Sequence, residues 1–294
     1  MADNVLSPAL PQSAQSAPAL RLGFGMRLQK IGLNPTLLAG LIILALVVLV
    51  AIAAPLLTPY DPIAQKLDEA LKPPLSPNHP LGTDNFGRDI WSRILYSTRL
   101  DLQIAFVSVM FPFVFGTFVG ISTGYLGGRV DTLFMRVLDV MMAFPFLVLV
   151  VAIMSIVGTG LVGMYIAFGL VGWIPYARIT RGEALANRNL EYIQAARTIG
   201  ATTPRIMARH VLPNVIGPGL VYVFTGMVLA ILIGSGLSYL GLGPQPPTPE
   251  WGAMIAGGRQ FMLQAWWITA LPGFALLFLG IGLSLIGDGL ADKR

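Results

Sequence analysis

The sequence of 294 residues has no cysteine, two histidines and four lysines, and only 11% of its residues are charged. Without cysteine there is no disulfide framework, no thiolate metal site and no cysteine nucleophile. His79 and His210 are too few for a histidine-based metal cluster. A phosphate-binding P-loop needs Gly-Lys followed by Ser or Thr. Lys30 and Lys66 follow glutamine, Lys72 follows leucine and Lys293 follows aspartate, so the chain is not an ATPase of that kind. Soluble domains carry about 25% charged residues. With less than half that charge, 55% hydrophobic residues and a mean hydropathy of +0.72, the chain calls for lipid as its solvent. It reads as an all-α polytopic membrane protein.

A hydrocarbon core of about 30 Å takes roughly 20 apolar helical residues to cross. Uncharged stretches run over Leu37–Leu57, Leu102–Gly128, Val140–Ala177, Val211–Pro249 and Gln260–Gly287. The third is long enough for two spans, with a turn expected at Gly158-Thr159-Gly160. The fourth ends in a loop carrying Pro244, Pro246, Pro247 and Pro249. Six transmembrane helices are therefore expected, at about 36–57, 101–124, 133–157, 161–178, 214–240 and 267–287. The first apolar run exceeds the 7–15 residues of a signal peptide and begins late, so it reads as an uncleaved span.

Orientation follows from Lys and Arg. With the N-terminus inside, thirteen fall on the cytoplasmic side: Arg21, Arg27, Lys30, Arg129, Arg136, Arg178, Arg181, Arg188, Arg197, Arg205, Arg209, Lys293 and Arg294. Six fall outside: Lys66, Lys72, Arg88, Arg93, Arg99 and Arg259. Both termini are expected in the cytoplasm. The organisation is then a tail at 1–34, a first span with an external segment at 35–100, and a helical core at 101–290. Residues 1–20, rich in Ser, Ala, Pro and Gln, read as a disordered tail.

The external stretch is studded with proline and runs into His79-Pro80-Leu81-Gly82-Thr83-Asp84-Asn85-Phe86-Gly87-Arg88-Asp89. It reads as an ordered surface loop leading into a helix that lies on the membrane. Thr83 or Asp84 is expected to cap a turn, Arg88 to pair with Asp89, and His79 to be a solvated loop residue.

The connection at about 179–213 is the informative one, because loops above about 12–15 residues tend to be functional. It parses into two short helices. Asn189 can cap the first, which runs from Glu191 to Ile199, and Gly200 sits where a left-handed C-terminal cap is wanted. Thr203-Pro204 starts the second, and Pro213 ends it near the next span. Ala195-Ala196 lets the backbone approach another surface. Five arginines face Glu183 and Glu191, a net charge of +3 between 179 and 214. A small basic helix projecting from a membrane protein suits docking on a soluble partner. The alternatives are a topology signal touching anionic lipid, or a DNA-reading helix–turn–helix. Both ends of the module are tied to spans, which disfavours nucleic acid.

Gln194-Ala195-Ala196, three residues, Gly200, nine residues, then His210-Val211-Leu212-Pro213 resembles the EAA motif of bacterial ABC importer permeases. Gln194 stands where that motif has Glu, removing one charge. His210 stands where it has Ile, as is usual in the peptide-importer branch. The His79-to-Asp89 stretch, Leu240-Gly241-Leu242-Gly243, the loop from Pro246 to Gly252 with Trp251, Trp266-Trp267 and Gly287-Asp288-Gly289-Leu290 are similar to the C permease subunits of dipeptide, oligopeptide and nickel importers. The resemblance covers about residues 35–291. It implies the type I importer permease fold in a bacterial inner membrane. It also implies a second related permease, two ATPase subunits that bind ATP and Mg, and an external substrate-binding protein. No cofactor is expected on this chain. On this resemblance Glu191, Gln194, Ala195, Ala196, Gly200, His210, Leu212 and Pro213 form the loop coupled to the ATPase, and the chain is a transport subunit, not an enzyme. Peptide is the expected cargo, with nickel or another small solute as the alternative.

Two rival classes remain to be weighed. A secondary transporter places ionisable residues near the midplane. Here the candidates are Arg136 and Asp139, three residues apart, read as a local ion pair near the interface or as charges of the pathway. An intramembrane serine protease would have to use Gly234-Ser235-Gly236, but neither histidine lies in a span to act as its base. Small-residue helix packing accounts for those glycines better.

Overall fold

Asn34 opens the first helix by accepting the Leu37 N–H at 2.9 Å, and Pro35 fills the first helical position, where no N–H is needed. The computed structural model describes residues 34–292. The tail expected at 1–20 and the basic residues Arg21, Arg27, Lys30, Lys293 and Arg294 lie outside the described residues. Eleven α-helices follow one another among those described. They are α1 (Pro35–Leu57), α2 (Ile90–Leu126), α3 (Gly128–Met142), α4 (Phe146–Val157), α5 (Leu161–Val171), α6 (Trp173–Asn187), α7 (Glu191–Thr198), α8 (Thr203–Ile206), α9 (Leu212–Tyr239), α10 (Trp251–Gly258) and α11 (Trp267–Ala291). Five helical stretches are long and apolar enough to cross a membrane: α1, α2, α5 with α6, α8 through α9, and α11. A sixth exists if α3 and α4, bent by 91° at their junction, count as one span.

Several expected boundaries move, each for a physical reason. The helix expected to lie on the membrane before 101 is the start of α2 itself, which runs unbroken for 37 residues from its Asp89 cap. At 1.5 Å per residue α2 is about 55 Å long and must project beyond the hydrocarbon. The span expected at 133–157 is broken at 143–145, because Pro145 supplies no N–H to continue α3. The break at Gly158–Gly160 falls where glycine placed it, both residues at positive φ. The fourth span continues past 178 to Asn187. Pro213 does not end a helix. Residues Met207–Val211 form a π-turn in which Leu212 N–H bonds back to the Met207 carbonyl, and this shift of register lets α8 run on into α9.

Helix packing rests on close approach, since lipid tails are as apolar as leucine and provide no hydrophobic force between helices. Gly116, Gly120 and Gly124 lie one turn apart on α2 and face α6. A Cβ at 116 would collide with the Trp173 carbonyl, one at 120 with the Thr180 side chain and the Ala177 carbonyl, and one at 124 would lie 2.7 Å from the Arg181 carbonyl. Gly40 and Gly289 do the same between α1 and α11, against Ile286 and Leu37. Ser235 is likewise a packing residue, since a Cβ at Gly252 of α10 would sit 2.5 Å from the Ser235 Cα, whereas a Cβ at Gly234 would make only ordinary contacts at 3.5 Å and one at Gly236 would meet open space.

Candidate functional site

The module between α6 and α9 is built on α7. Of its eight residues only Ile193 and Ala196 are buried, at 0% and 5% exposure. They join Ile121 and Tyr125 of α2, Ala184 of α6, Ile206 of α8, Val211 and Val215 in one apolar cluster. Full burial of Ile193 is worth about 1.5–3 kcal/mol, which seats a helix far too short to be stable alone. The opposite face presents Glu191, Gln194 and Ala195 to solvent. The Ala195-Ala196 pair is therefore divided: Ala195 faces outward, while Ala196 packs on the chain itself.

The turn after α7 is a Schellman cap. Ala201 N–H bonds to the Ala196 carbonyl at 3.0 Å and Gly200 N–H to the Arg197 carbonyl at 3.0 Å. Gly200 has φ of +84° and open space where a Cβ would be, so glycine is required here for its backbone and not for room. Asn189 does not cap α7, whose cap position is Leu190. The Asn189 carbonyl instead accepts the Gln194 side-chain N–H at 3.0 Å. A glutamate could not make that bond, so the departure from Glu at 194 has a local use. The second helix begins at Thr203, with Thr202 at its cap position. His210 is half-buried with its ring 6.5 Å from Tyr192, Leu212 packs on the apolar cluster, and Pro213 is exposed. Tyr192 stitches the module to both flanking helices, donating to Asn187 Oδ1 at 3.3 Å and accepting from Asn214 at 3.2 Å.

Part of the basic charge is spent inside the chain. Arg197 donates to the Tyr125 hydroxyl at 3.0 Å and lies over its ring. Arg181 grips Asp131 of α3 with two bonds, one of 2.7 Å. Asp139 pairs with Arg178 at 3.4 Å and not with Arg136, because α6 passes beside this face of α3. The expected Arg136–Asp139 pair is thus replaced by two latches from α3 to α6. Arg205 and Arg209 are exposed and without a side-chain partner among the described residues.

At the other end of α2 the 58–89 segment folds around buried polar groups that the sequence reading missed. His79 is 2% exposed, with Nδ1 2.9 Å from Asp89 Oδ1 and Nε2 3.2 Å from Glu69 Oε2. It is a buried clasp and not a solvated residue. Asp89 also accepts from Ser92 N–H at 2.8 Å and so caps α2. Arg88 pairs with Asp84 at 2.6 Å, leaving Asp89 to His79. Asp84 caps its turn as expected, accepting the Phe86 and Arg88 N–H groups. Trp267 donates to the Thr83 carbonyl at 3.0 Å, tying the segment to α11. Two carboxylates spaced ten residues from one histidine were the available signal, but loop spacing does not fix such contacts.

Lys72 and His79 beside Glu69 hold its carboxyl down at about 2, against an ordinary 4.5. A carboxylate lowered in the folded state contributes stability that is present above its unfolded pKa and is lost as pH falls through the folded one. Glu69→Gln is therefore expected to lower the melting temperature at neutral pH, with the gap from wild type closing between about pH 4.5 and pH 2. Thermal melts in detergent across that range check it, and a gap that persists unchanged at pH 2 counts against the clasp.

A helical membrane protein whose longest helix joins a clasped loop at one end to a short, half-exposed helix at the other has the build of a transport permease. The chain belongs to that family: residues 116–293 match the binding-protein-dependent transport system inner membrane component, and residues 32–74 match the N-terminal TM domain of oligopeptide transport permease C. It is 40% identical over 264 residues to the di/tripeptide transport system permease protein DppC of Pseudomonas aeruginosa, covering 88% of this chain and 87% of that one. It is 38% identical over 259 residues to the probable D,D-dipeptide transport system permease protein DdpC of Escherichia coli, covering 88% and 87%. The fold is also like that of a chain of the MetNI methionine ABC transporter solved in inward-facing conformations. There the TM-score is 0.55 at 20% identity, with coverage of 70% of this chain and 97% of that one.

Proposed function

We propose that this chain forms half of the translocation pathway of a bacterial inner-membrane importer for di- or oligopeptides. A related permease completes the pathway, an external binding protein delivers cargo, and two ATPase subunits that bind ATP and Mg drive the cycle. The projecting helix α7 carries this reading. It is seated on an apolar base, turned by a left-handed glycine, and offers a small exposed face at Glu191, Gln194 and Ala195. Such a helix transmits a push from a soluble partner to α6 and α9, which flank it. Relatives named as dipeptide permeases at about 40% identity favour peptide over nickel or another small solute. The charge bias of thirteen against six supports both termini in the cytoplasm, a reading that takes α3 and α4 together as one broken span of six.

Ala195 gives the direct test. Ala195→Trp adds bulk to the exposed face while leaving the Ile193–Ala196 base untouched. The variant is expected to reach the membrane in wild-type amounts and to lose co-purification with the ATPase subunit. Retention of the ATPase at wild-type stoichiometry would count against docking at α7. A secondary carrier would co-purify with no ATPase in either form.

A further inference from the structure

At the clasped end of α2 a cavity of about 260 Å³ opens between the external segment, the first turn of α2, the proline loop, α10 and the start of α11. Its charged lining is two arginines, Arg88 and Arg93, and one carboxylate, Asp84. Asp84 is already engaged on both oxygens. Its Oδ1 accepts the Phe86 and Arg88 backbone N–H groups, and its Oδ2 accepts Arg88 Nε at 2.6 Å. Arg93 reaches that same Oδ2 only at 3.8 Å and spends Nη1 on the Pro62 carbonyl at 2.9 Å. The two guanidiniums thus share one carboxylate, which leaves a positive charge uncompensated, and Arg93 is only 4% exposed. The Phe86 ring, centred 4.8 Å from the Arg88 guanidinium carbon, holds that side chain at the wall. Neither terminal nitrogen of Arg88 nor Nη2 of Arg93 has an acceptor among the described residues, and none of the three is a sealed atom. Their N–H groups therefore meet open space, and the open space that both residues line is this cavity.

Planar guanidinium forks with free N–H groups and an uncompensated charge form a receptor for a carboxylate. The cavity is smaller than the roughly 300–1,000 Å³ of small-molecule sites, so it suits one inserted side chain better than a whole ligand. Its edge carries the neutral polar groups of Asn85, Thr248 and Gln260. A zwitterionic peptide would also bring an ammonium, and Asp84 has no free oxygen to receive it. A lipid phosphate would bring its acyl chains across that polar edge. The cup lies at the opposite end of α2 from α7, which is the outer end in the proposed orientation. We propose that it receives an aspartate or glutamate side chain of the external binding protein as that protein docks. Arg88 and Arg93 both donate to the incoming carboxylate, so docking completes a pairing that the subunit leaves half made. The proposal rests on the importer reading and adds to it a place on this chain and a chemistry on its partner.

The test uses the complete importer in nanodiscs and its cognate binding protein loaded with alanyl-alanine, and measures their dissociation constant. Gly257→Phe fills the cup from α10. Gly257 lines the cavity with nothing within 4 Å of a Cβ, so this variant should melt as wild type does. It should bind the loaded binding protein at least about tenfold more weakly, and Arg88→Gln should do the same. Each acidic residue on the docking face of the binding protein is then changed to its amide and paired with Arg88→Gln. One such change should cost about tenfold against wild type and almost nothing against Arg88→Gln. Binding by Gly257→Phe within about twofold of wild type overturns the cup as a docking site, and that readout stands even where Arg88→Gln does not fold. Weakening by both variants with no amide change coupled to Arg88 overturns the carboxylate. So does a wild-type affinity that follows the anionic lipid of the disc and no binding-protein substitution. A binding protein with no affinity for the wild-type importer overturns the importer reading itself, and the docking site falls with it.

Discussion

Gly200→Val is expected to reduce uptake at least about tenfold while the subunit accumulates in the membrane at wild-type levels. The magnitudes separate these two effects. A β-branched residue at a φ of +84° meets at least the roughly 1–2 kcal/mol of strain that an L-residue pays in the left-handed region. The base of α7, with Ile193 and Ala196 buried, supplies about as much or more in the other direction. The helix therefore stays seated, and the Schellman turn, which sets the angle between α7 and α8, is what deforms. Nothing lies within 4 Å of a Cβ at this position, so bulk alone has nothing to hit. Gly200→Asn is the informative control, because asparagine tolerates the left-handed conformation and should keep most of the activity. Uptake by the valine variant at the wild-type rate would remove the turn from the coupling mechanism.

The other large effect is on folding. Gly120→Leu is expected to leave little folded subunit, a destabilisation of at least about 3 kcal/mol, at the upper end of overpacking costs. What a side chain at 120 meets is the Ala177 carbonyl and the Thr180 side chain, with the Arg181 N at 2.9 Å. Backbone cannot step aside as a flexible side chain does, so α2 and α6 must separate along the Gly116–Gly124 stripe. In lipid this close packing is the main source of their association, and the Arg181–Asp131 latch to α3 would be dragged with α6. Gly182→Ala, on an exposed face of α6 with nothing within 4 Å, should accumulate normally and melt no lower. Amounts of monodisperse protein and melting temperatures in detergent compare the two. Equal stability of Gly120→Leu and wild type would refute the stripe as the α2–α6 contact.

The turn after α7 was legible because its determinants are local. A glycine four residues beyond Ala196, followed by Thr-Pro, specifies a left-handed cap and a new helix start whatever surrounds it. Ala195 and Ala196 are chemically identical neighbours, and only the position of the apolar cluster beneath α7 assigns one to the outside and the other to the base. His79 shows the same limit. A histidine beside proline has no local pattern to mark it as buried. It is buried because Asp89, needed as the cap of α2, and Glu69 both reach its ring.

Proline draws the line most sharply. Pro55, Pro112, Pro218 and Pro272 sit inside continuous helices, Pro213 is absorbed by a π-turn, and Pro145 marks a 91° break. Each removes one N–H, and whether the helix survives depends on what neighbouring helices do with the freed carbonyl. Scarce charge and apolar runs of span length determined by themselves that this is a helical membrane protein, because solvent class and helix length follow from composition along the chain. Which arginine latches which aspartate, and which hydroxyls are buried unpaired, was decided only by the tertiary structure. Those relations join residues dozens of positions apart, and in lipid they are fixed by how closely glycine lets the helices approach.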